Sequence, residues 1–343
     1  MSAEFPRVLA VLVGGGELSA VDTRASFDAI FAGAWTPVQV AAFAVALRMR
    51  GERAETIVAA AEAMRATMTA VEHGLAVVVD TCGTGGDGAH TLNISTAAAI
   101  VVASCGHAVA KHGNRSVSSR CGSADVVEAL GIPIDVPTGR QAEILLRTNI
   151  AFLFAPAHHP ALKHAAQARR ELGTRTIFNA LGPLANPARA THQLVGVYDD
   201  ALRPVAARAL RGLGVLRAWV VRGEDGLDEV SPCAPTRVSE LTAAGDVLER
   251  TIAPDDFGIE RLDRRALAGG DAKENAAAIV TMLAGGDHPA REAVVLNAAA
   301  AIVVATGTPP REAAAEARDA LGSGRARRTF EAWKSAAVSA KGV

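Results

Sequence analysis

Up to about Glu72 the apolar positions recur with helical spacing and no strand-like run appears. Arg7 to Val13 predicts a first helix, and Ser26-Phe27-Asp28-Ala29-Ile30-Phe31 begins another. Thr36-Pro37, with proline at the first helical position, opens one that runs to Arg50. A further helix runs from Gly51-Glu52-Arg53 to Val71. From Leu75 the pattern changes to short apolar runs alternating with helices, the signature of an α/β fold. Strands are predicted at Leu75–Val79, Ala108–Ala110, Ile150–Phe154, His192–Tyr198 and Ala218–Val221, with a hairpin from Thr236 to Thr251 around Gly245. Helices are predicted at Ala97–Ala103, Ser123–Leu130, Thr138–Thr148, after His159-Pro160, Thr174–Leu181 and Pro204–Leu213. Gly182-Pro183-Leu184-Ala185-Asn186-Pro187 should break the chain sharply. Three helices then close it: Lys273–Leu283, Arg291–Thr306 and Arg311–Leu321.

This pattern predicts an α/β fold with a mainly parallel sheet flanked by helices. The helical stretch between the strands at 150–154 and 192–198 is long enough to fold back onto the N-terminal helices. A smaller all-helical domain is therefore expected from discontinuous segments, 1–73 and 159–190, beside an α/β domain of 74–158 and 191–343.

Three polar loops follow strand ends, where ligands bind in open α/β sheets. The first is Asp80-Thr81-Cys82-Gly83-Thr84-Gly85-Gly86-Asp87-Gly88, leading to a helix that Asn93 or Ser95 could cap. Glycines there let backbone N–H groups approach a phosphate, and a helix N-terminus favours an anion. The loop fits neither the dinucleotide fingerprint nor a P-loop, which would end in Lys-Ser/Thr. The second, Lys111-His112-Gly113-Asn114-Arg115-Ser116-Val117-Ser118-Ser119, adds positive charge and neutral donors. The third holds Glu224, Asp225, Asp228 and Glu229. An acidic loop is usually a solvated turn, but facing a phosphate site its carboxylates can hold Mg²⁺, which prefers oxygen ligands. No Ser-His-Asp or Cys-His arrangement is evident, so no catalytic residue is assigned and positioning and electrostatics carry the chemistry.

Composition narrows the function class. The formal charge is -1 and aromatic residues make up 4%, which argues against nucleic acid as a partner. The 4 cysteines form no CxxC pair, so they read as reduced thiols of a cytoplasmic protein, with Cys82 a small packing residue. The apolar start is short and lacks a cleavage pattern, and no uninterrupted run of ~18 apolar residues predicts a membrane span.

Taken together the motifs resemble the anthranilate phosphoribosyltransferase family. Gly83-Thr84-Gly85-Gly86-Asp87 matches its GTGGD loop, Asn93-Ile94-Ser95-Thr96 its NxST helix start, and Lys111-His112-Gly113-Asn114-Arg115 its KHGNR loop. Asp228-Glu229 matches the metal-binding pair, and Arg169 falls where the family has an anthranilate-contacting arginine, ahead of its neighbour Arg170. Gly182–Pro187 and Gly270–Ala276 also match, and the likeness runs from about Phe27 to Trp333. One departure is Arg53, where the family usually has threonine.

The resemblance implies a pentosyl transfer from 5-phosphoribosyl 1-pyrophosphate (PRPP) to the anthranilate amine, in tryptophan biosynthesis. It implies donor binding by Gly83, Gly85, Gly86, Asp87, Thr91, Asn93, Ser95, Thr96, Lys111, Asn114 and Ser119. It implies Mg²⁺ on Ser95, Asp228 and Glu229, and anthranilate near Gly83, Asn114, His112, His159 and Arg169. A homodimer through the helical domain follows as well, with a separate anthranilate synthase partner left open. A pyrimidine nucleoside phosphorylase would share the fold, but its Lys-Ser motif is missing. A non-enzymatic nucleic-acid-binding relative would have a basic surface and eroded motifs.

Overall fold

The computed structural model describes residues 4–116 and 120–342. Seven strands form one sheet: β1 Val79–Gly83, β2 Val109–Gly113, β3 Ile150–Phe154, β4 His192–Gly196, β5 Arg217–Gly223, β6 Thr236–Leu241 and β7 Val247–Ile252, in the order β3-β2-β1-β4-β5-β6-β7. Strands β1 to β5 pair in parallel, while β6 and β7 add antiparallel as the expected hairpin. Four N-terminal helices, Phe5–Val13, Ala20–Phe31, Pro37–Arg50 and Ala54–Ala66, precede the sheet. No described helix is long and apolar enough to cross a membrane.

Alternate residues along the strands serve two cores. Val79, Leu194, Trp219 and Val221 face a core shared with helices Ile94–Ser104, Arg291–Thr306 and Arg325–Lys341. Cys82, Val195, Ala218 and Val220 face a second core that includes the N-terminal helices and helices Lys163–Leu172, Ile177–Leu184 and Leu202–Gly212. Pro37–Arg50 packs on Lys163–Leu172, and Ala54–Ala66 on Ile177–Leu184, so the stretch between β3 and β4 does fold back onto the bundle.

The first two strands lie further along the chain than their apolar runs predict. Val77 is exposed, whereas Asp80, Thr81, Lys111 and His112 are buried in the ladder. These polar groups tolerate burial because each finds a partner. Asp80 accepts from Asn186 Nδ2 at 2.8 Å and from the His112 N–H at 3.2 Å, and Thr81 Oγ1 donates to the Ser95 carbonyl at 3.1 Å. Helix Ile177–Leu184 runs past the expected break, with Pro183 inside it. Its end is held from outside: Gln193 Nε2 donates to the Pro183 carbonyl and Arg65 Nε to that of Leu184.

Four helices close the chain, not three: Ala272–Leu283, Arg291–Thr306, Pro310–Gly322 and the unforeseen Arg325–Lys341. Its buried face, Ala326, Phe330, Trp333, Ala337 and Ala340, keeps helical spacing but is mostly alanine, so the apolar signal is weak.

Capping accounts for several bundle helix starts. Thr36 and Gln39 form a reciprocal capping box, and Ser19 accepts from the Asp22 N–H. Arg53 stands at the N-cap of Ala54–Ala66 with extended backbone and no side-chain cap. It pairs instead with Glu17 and Glu55 on the surface. Arg53→Ala and Arg53→Thr both lose these pairs, and only threonine can cap. The threonine variant is expected to be more stable than the alanine variant by about 1 kcal/mol in urea unfolding. Equal midpoints would show that this position gains nothing from a cap.

Candidate active site

The carboxyl end of β4 is the junction of the site. The Asp228 carbonyl oxygen occupies the space a β-carbon on Gly196 would need. The Asp228 carboxylate comes within 3.1 Å of where a β-carbon on Gly83 would sit. Thr84 donates its N–H to the Gly196 carbonyl at 2.9 Å, and its hydroxyl accepts from the Tyr198 N–H at 3.0 Å. The turn that follows has Gly85, Gly86 and Gly88 at φ +66°, +79° and +75°, a region that disfavours side chains. No described residue stands within 4 Å of a β-carbon at Gly85, so among the described residues one side of the turn is open.

Asp87, the acid of this turn, accepts from Ala89 N–H through Oδ1 and from Asp228 N–H through Oδ2 at 3.4 Å. Asp228 and Glu229 keep some exposed surface yet are crowded by protein atoms. Burial pushes the Asp228 carboxyl well above its ordinary range, and repulsion from Asp87 and Glu229 adds to this. Glu229 is pushed up to about 7, chiefly by burial and against the attraction of Lys111. Glu229 Oε1 accepts from the Ser95 N–H at 3.2 Å, at the start of helix Ile94–Ser104, where the helix dipole favours a negative charge. Among the described residues no group of three or more His, Cys, Asp or Glu could hold a metal by itself. Crowded carboxylates without a full protein cage fit Mg²⁺, which binds through one or two carboxylates and completes its shell with water and phosphate.

Lys111 lies inside β2 and is 2% exposed; its ammonium meets the Thr81 carbonyl and, at 3.3 Å, Ser95 Oγ. Asn93 precedes the helix as expected, but neither it nor Ser95 provides a side-chain cap. Its amide instead donates to the Cys121 carbonyl at 3.2 Å and accepts from Asn275 at 3.0 Å, so Gly270–Ala276 braces it from behind. Thr91 pairs with Ala268 in an isolated bridge, and Thr96 Oγ1 is buried without a partner. Asn114 is exposed beyond β2, and Ser119 lies outside the described residues.

Among the residues expected near anthranilate, the rings of His112 and His159 lie 5.1 Å apart. His112 Nδ1 meets the Gly182 carbonyl at 3.0 Å and its Nε2 is buried without a partner. Burial lowers His112 to about 4 and His159 to about 2, so both rings are neutral near pH 7. Neither ring nitrogen of His159 makes a well-formed hydrogen bond, although the Ala185 backbone lies near enough to favour its protonation weakly. Arg169 is half-buried, with its guanidinium 6.0 Å from the centre of the Phe178 ring, and burial depresses its pKa. No described carboxylate pairs with it, whereas Arg170 is exposed. Phe178 and Gly182 are four residues apart on helix Ile177–Leu184, so Arg169 and His112 meet one face of it.

Three residues at this centre escaped the sequence reading: Gly196, Tyr198 and Arg175. Arg175 stacks on the Tyr198 ring at 4.1 Å and covers Gly86. A signal existed for Gly196, since glycine at the end of a buried strand often marks a close backbone approach.

This fold and site define a glycosyl transferase. Residues 75–327 match the a/b domain of the glycosyl transferase family and residues 6–68 its helical bundle domain. The chain is 49% identical over 325 residues to an anthranilate phosphoribosyltransferase of Myxococcus xanthus, covering 94% of this chain and 96% of that one. The enzyme of that name from Thermus thermophilus superposes with a TM-score of 0.91 at 40% identity, covering 96% and 99% of the two chains. The Saccharomyces cerevisiae one, solved with PRPP and Mg, gives 0.90 at 28% identity and covers 98% of each. The chain belongs to the anthranilate phosphoribosyltransferase family.

The β4 junction can be tested directly. Gly196→Ala forces the Asp228 carbonyl to move, an overpacking strain of roughly 1–3 kcal/mol. The variant is expected to unfold at lower urea and to turn over more slowly than wild type. Wild-type values for both would show that the carbonyl yields freely.

Proposed function

We propose that the chain transfers the 5-phosphoribosyl group of PRPP to the amine of anthranilate, releasing pyrophosphate, as a cytoplasmic step of L-tryptophan biosynthesis. The observation that carries this is the open glycine turn at 84–88 set against the crowded carboxylates of Asp87, Asp228 and Glu229. A polyphosphorylated donor brings anionic oxygens to the turn, and its Mg²⁺ answers the carboxylates. Asp228, Glu229 and Ser95 would hold that Mg²⁺, which neutralises charge developing on the departing pyrophosphate. Gly83, Gly85, Gly86 and Asp87 would cradle the pyrophosphate and ribose, helped by Thr91, Asn93, Thr96, Asn114 and Ser119. Lys111, behind Ser95, holds positive charge beneath the same centre and orients the serine.

As the bond from C1 to pyrophosphate breaks toward an oxocarbenium-like state, the anthranilate amine attacks C1. No side chain need act as nucleophile, because alignment and electrostatics lower the barrier. His112 and His159, neutral by burial, offer an aromatic wall that adds no competing charge. Arg169, lacking a carboxylate partner among the described residues, would meet the anthranilate carboxylate with two parallel hydrogen bonds. Residues 1–73 and 159–190 would form the acceptor-side domain, and 74–158 with 191–343 the donor-side domain. The exposed Val13, Val21, Val38 and Met49 of the N-terminal helices support a homodimer through that bundle.

The test is the loss of anthranilate fluorescence on adding PRPP and Mg²⁺, abolished by EDTA. In this assay the Asp228→Ala, Glu229→Ala double variant should lose roughly a hundredfold or more in rate. Unchanged turnover and Mg²⁺ dependence would reduce the acidic loop to a solvated turn. A second set of variants addresses the acceptor. Losing one charge-assisted contact costs roughly 1.5–3 kcal/mol, so Arg169→Ala should raise KM for anthranilate about tenfold or more. Donor affinity should hardly change, and Arg170→Ala should do less. An equal effect on both substrates, or a larger one at Arg170, would overturn that assignment.

A further inference from the structure

Arg175 occupies an unusual position for a residue of the helical segment. It immediately precedes Thr176, the N-cap residue of helix Ile177–Leu184, whose N–H donates to Asn179 Oδ1 at 3.0 Å, so its backbone is anchored at a helix start. One face of its guanidinium lies on the ring of Tyr198, the only tyrosine of the chain, with Cζ 4.1 Å from the ring centre. Gly86 lies against the same guanidinium. A β-carbon there would lie 2.7, 3.3 and 3.4 Å from Nη2, Cζ and Nε of Arg175, so the group spans the glycine broadly. Tyr198 is itself tied to the same turn through its N–H bond to Thr84. The guanidinium is therefore held against both an aromatic ring and the glycine turn, with five N–H donors to satisfy.

Those N–H groups have no acceptor among the described residues. Among the described residues, no carboxylate, carbonyl or hydroxyl takes a hydrogen bond from Arg175, although it is half-buried. Arg65, at the opposite end of helix Ile177–Leu184, by contrast satisfies two carbonyls, those of Leu184 and Leu213. A planar fork fixed by stacking, with free edges beside an open anion turn, matches the in-plane oxygens of a phosphate group.

We propose that Arg175 is a donor-binding residue, its guanidinium meeting the pyrophosphate oxygens of PRPP above Gly86. The proposal rests on the reading of the 84–88 turn as the pyrophosphate site. It gives the helical segment that carries the acceptor-side Arg169 a direct hold on the donor as well.

The experiment measures calorimetric affinity for PRPP with Mg²⁺, and separately for inorganic pyrophosphate with Mg²⁺. Arg175→Met keeps most of the packing on Tyr198 and Gly86 but removes the charge, and Arg175→Lys keeps the charge without the fork. Arg175→Met is expected to bind both probes on the order of tenfold more weakly, with Arg175→Lys in between. Its thermal midpoint and KM for anthranilate should match wild type. Wild-type donor affinity in Arg175→Met would overturn the proposal while leaving the site reading intact. An equal rise in KM for both substrates would also overturn it, because it would mark a general structural role. Failure of wild type itself to bind either probe would bring down the site reading and the proposal together.

Discussion

The approach of the Asp228 backbone to the end of β4 is the constraint on which the site depends. Because Gly196 carries no side chain, the Asp228 carbonyl can enter the sheet edge, and its carboxylate then faces Gly83 at the end of β1. The glycine turn is keyed to the same place by the Thr84 and Tyr198 hydrogen bonds. Two loops far apart in sequence are thereby set against each other by backbone contacts, which hold position better than long side chains could. A shift of this junction would move the acidic groups and the anion turn together.

Beneath the junction runs a buried polar network. Asn186 donates to Asp80 and to the Ala110 carbonyl, and its Oδ1 accepts from the Ala188 N–H. Asp80 accepts from the His112 N–H, while Lys111 reaches Thr81 and Ser95. Burial raises the Asp80 carboxyl, and the Lys111 charge opposes this first among its partners. Removing one member of such a network strands the others in a poorly solvated interior, so its parts stand or fall together. It also joins the turn at Asn186, where the helical segment returns to the sheet, to the strands that carry the donor groups.

That connection explains how two kinds of element share one reaction centre. The sheet supplies the anion turn, the acidic pair and the buried lysine. The helical segment brings Arg169 against Phe178, Arg175 against Tyr198 and the Gly182 carbonyl against His112. His112 of β2 and His159 of the helical segment face each other with rings 5.1 Å apart, both kept uncharged near pH 7 by burial.

Much of this was legible from the residues alone. Helical spacing and short apolar runs separated helices from strands, β3 and helix Arg291–Thr306 matched their predicted bounds, and the glycine, acidic and basic loops fall at the carboxyl ends of β1, β5 and β2. These features are local, and local sequence is enough to encode them. The apolar runs misplaced β1 and β2 because Asp80, Thr81, Lys111 and His112 are polar residues that only distant partners make buriable. Pro183 suggested a break that Gln193 and Arg65 repair from other elements, and the alanine-rich face of Arg325–Lys341 carried too little apolar contrast to stand out. The roles of Gly196, Tyr198 and Arg175 were likewise beyond a linear reading. Each depends on a contact across the fold, and such contacts exist only once the sheet and the helical segment have come together.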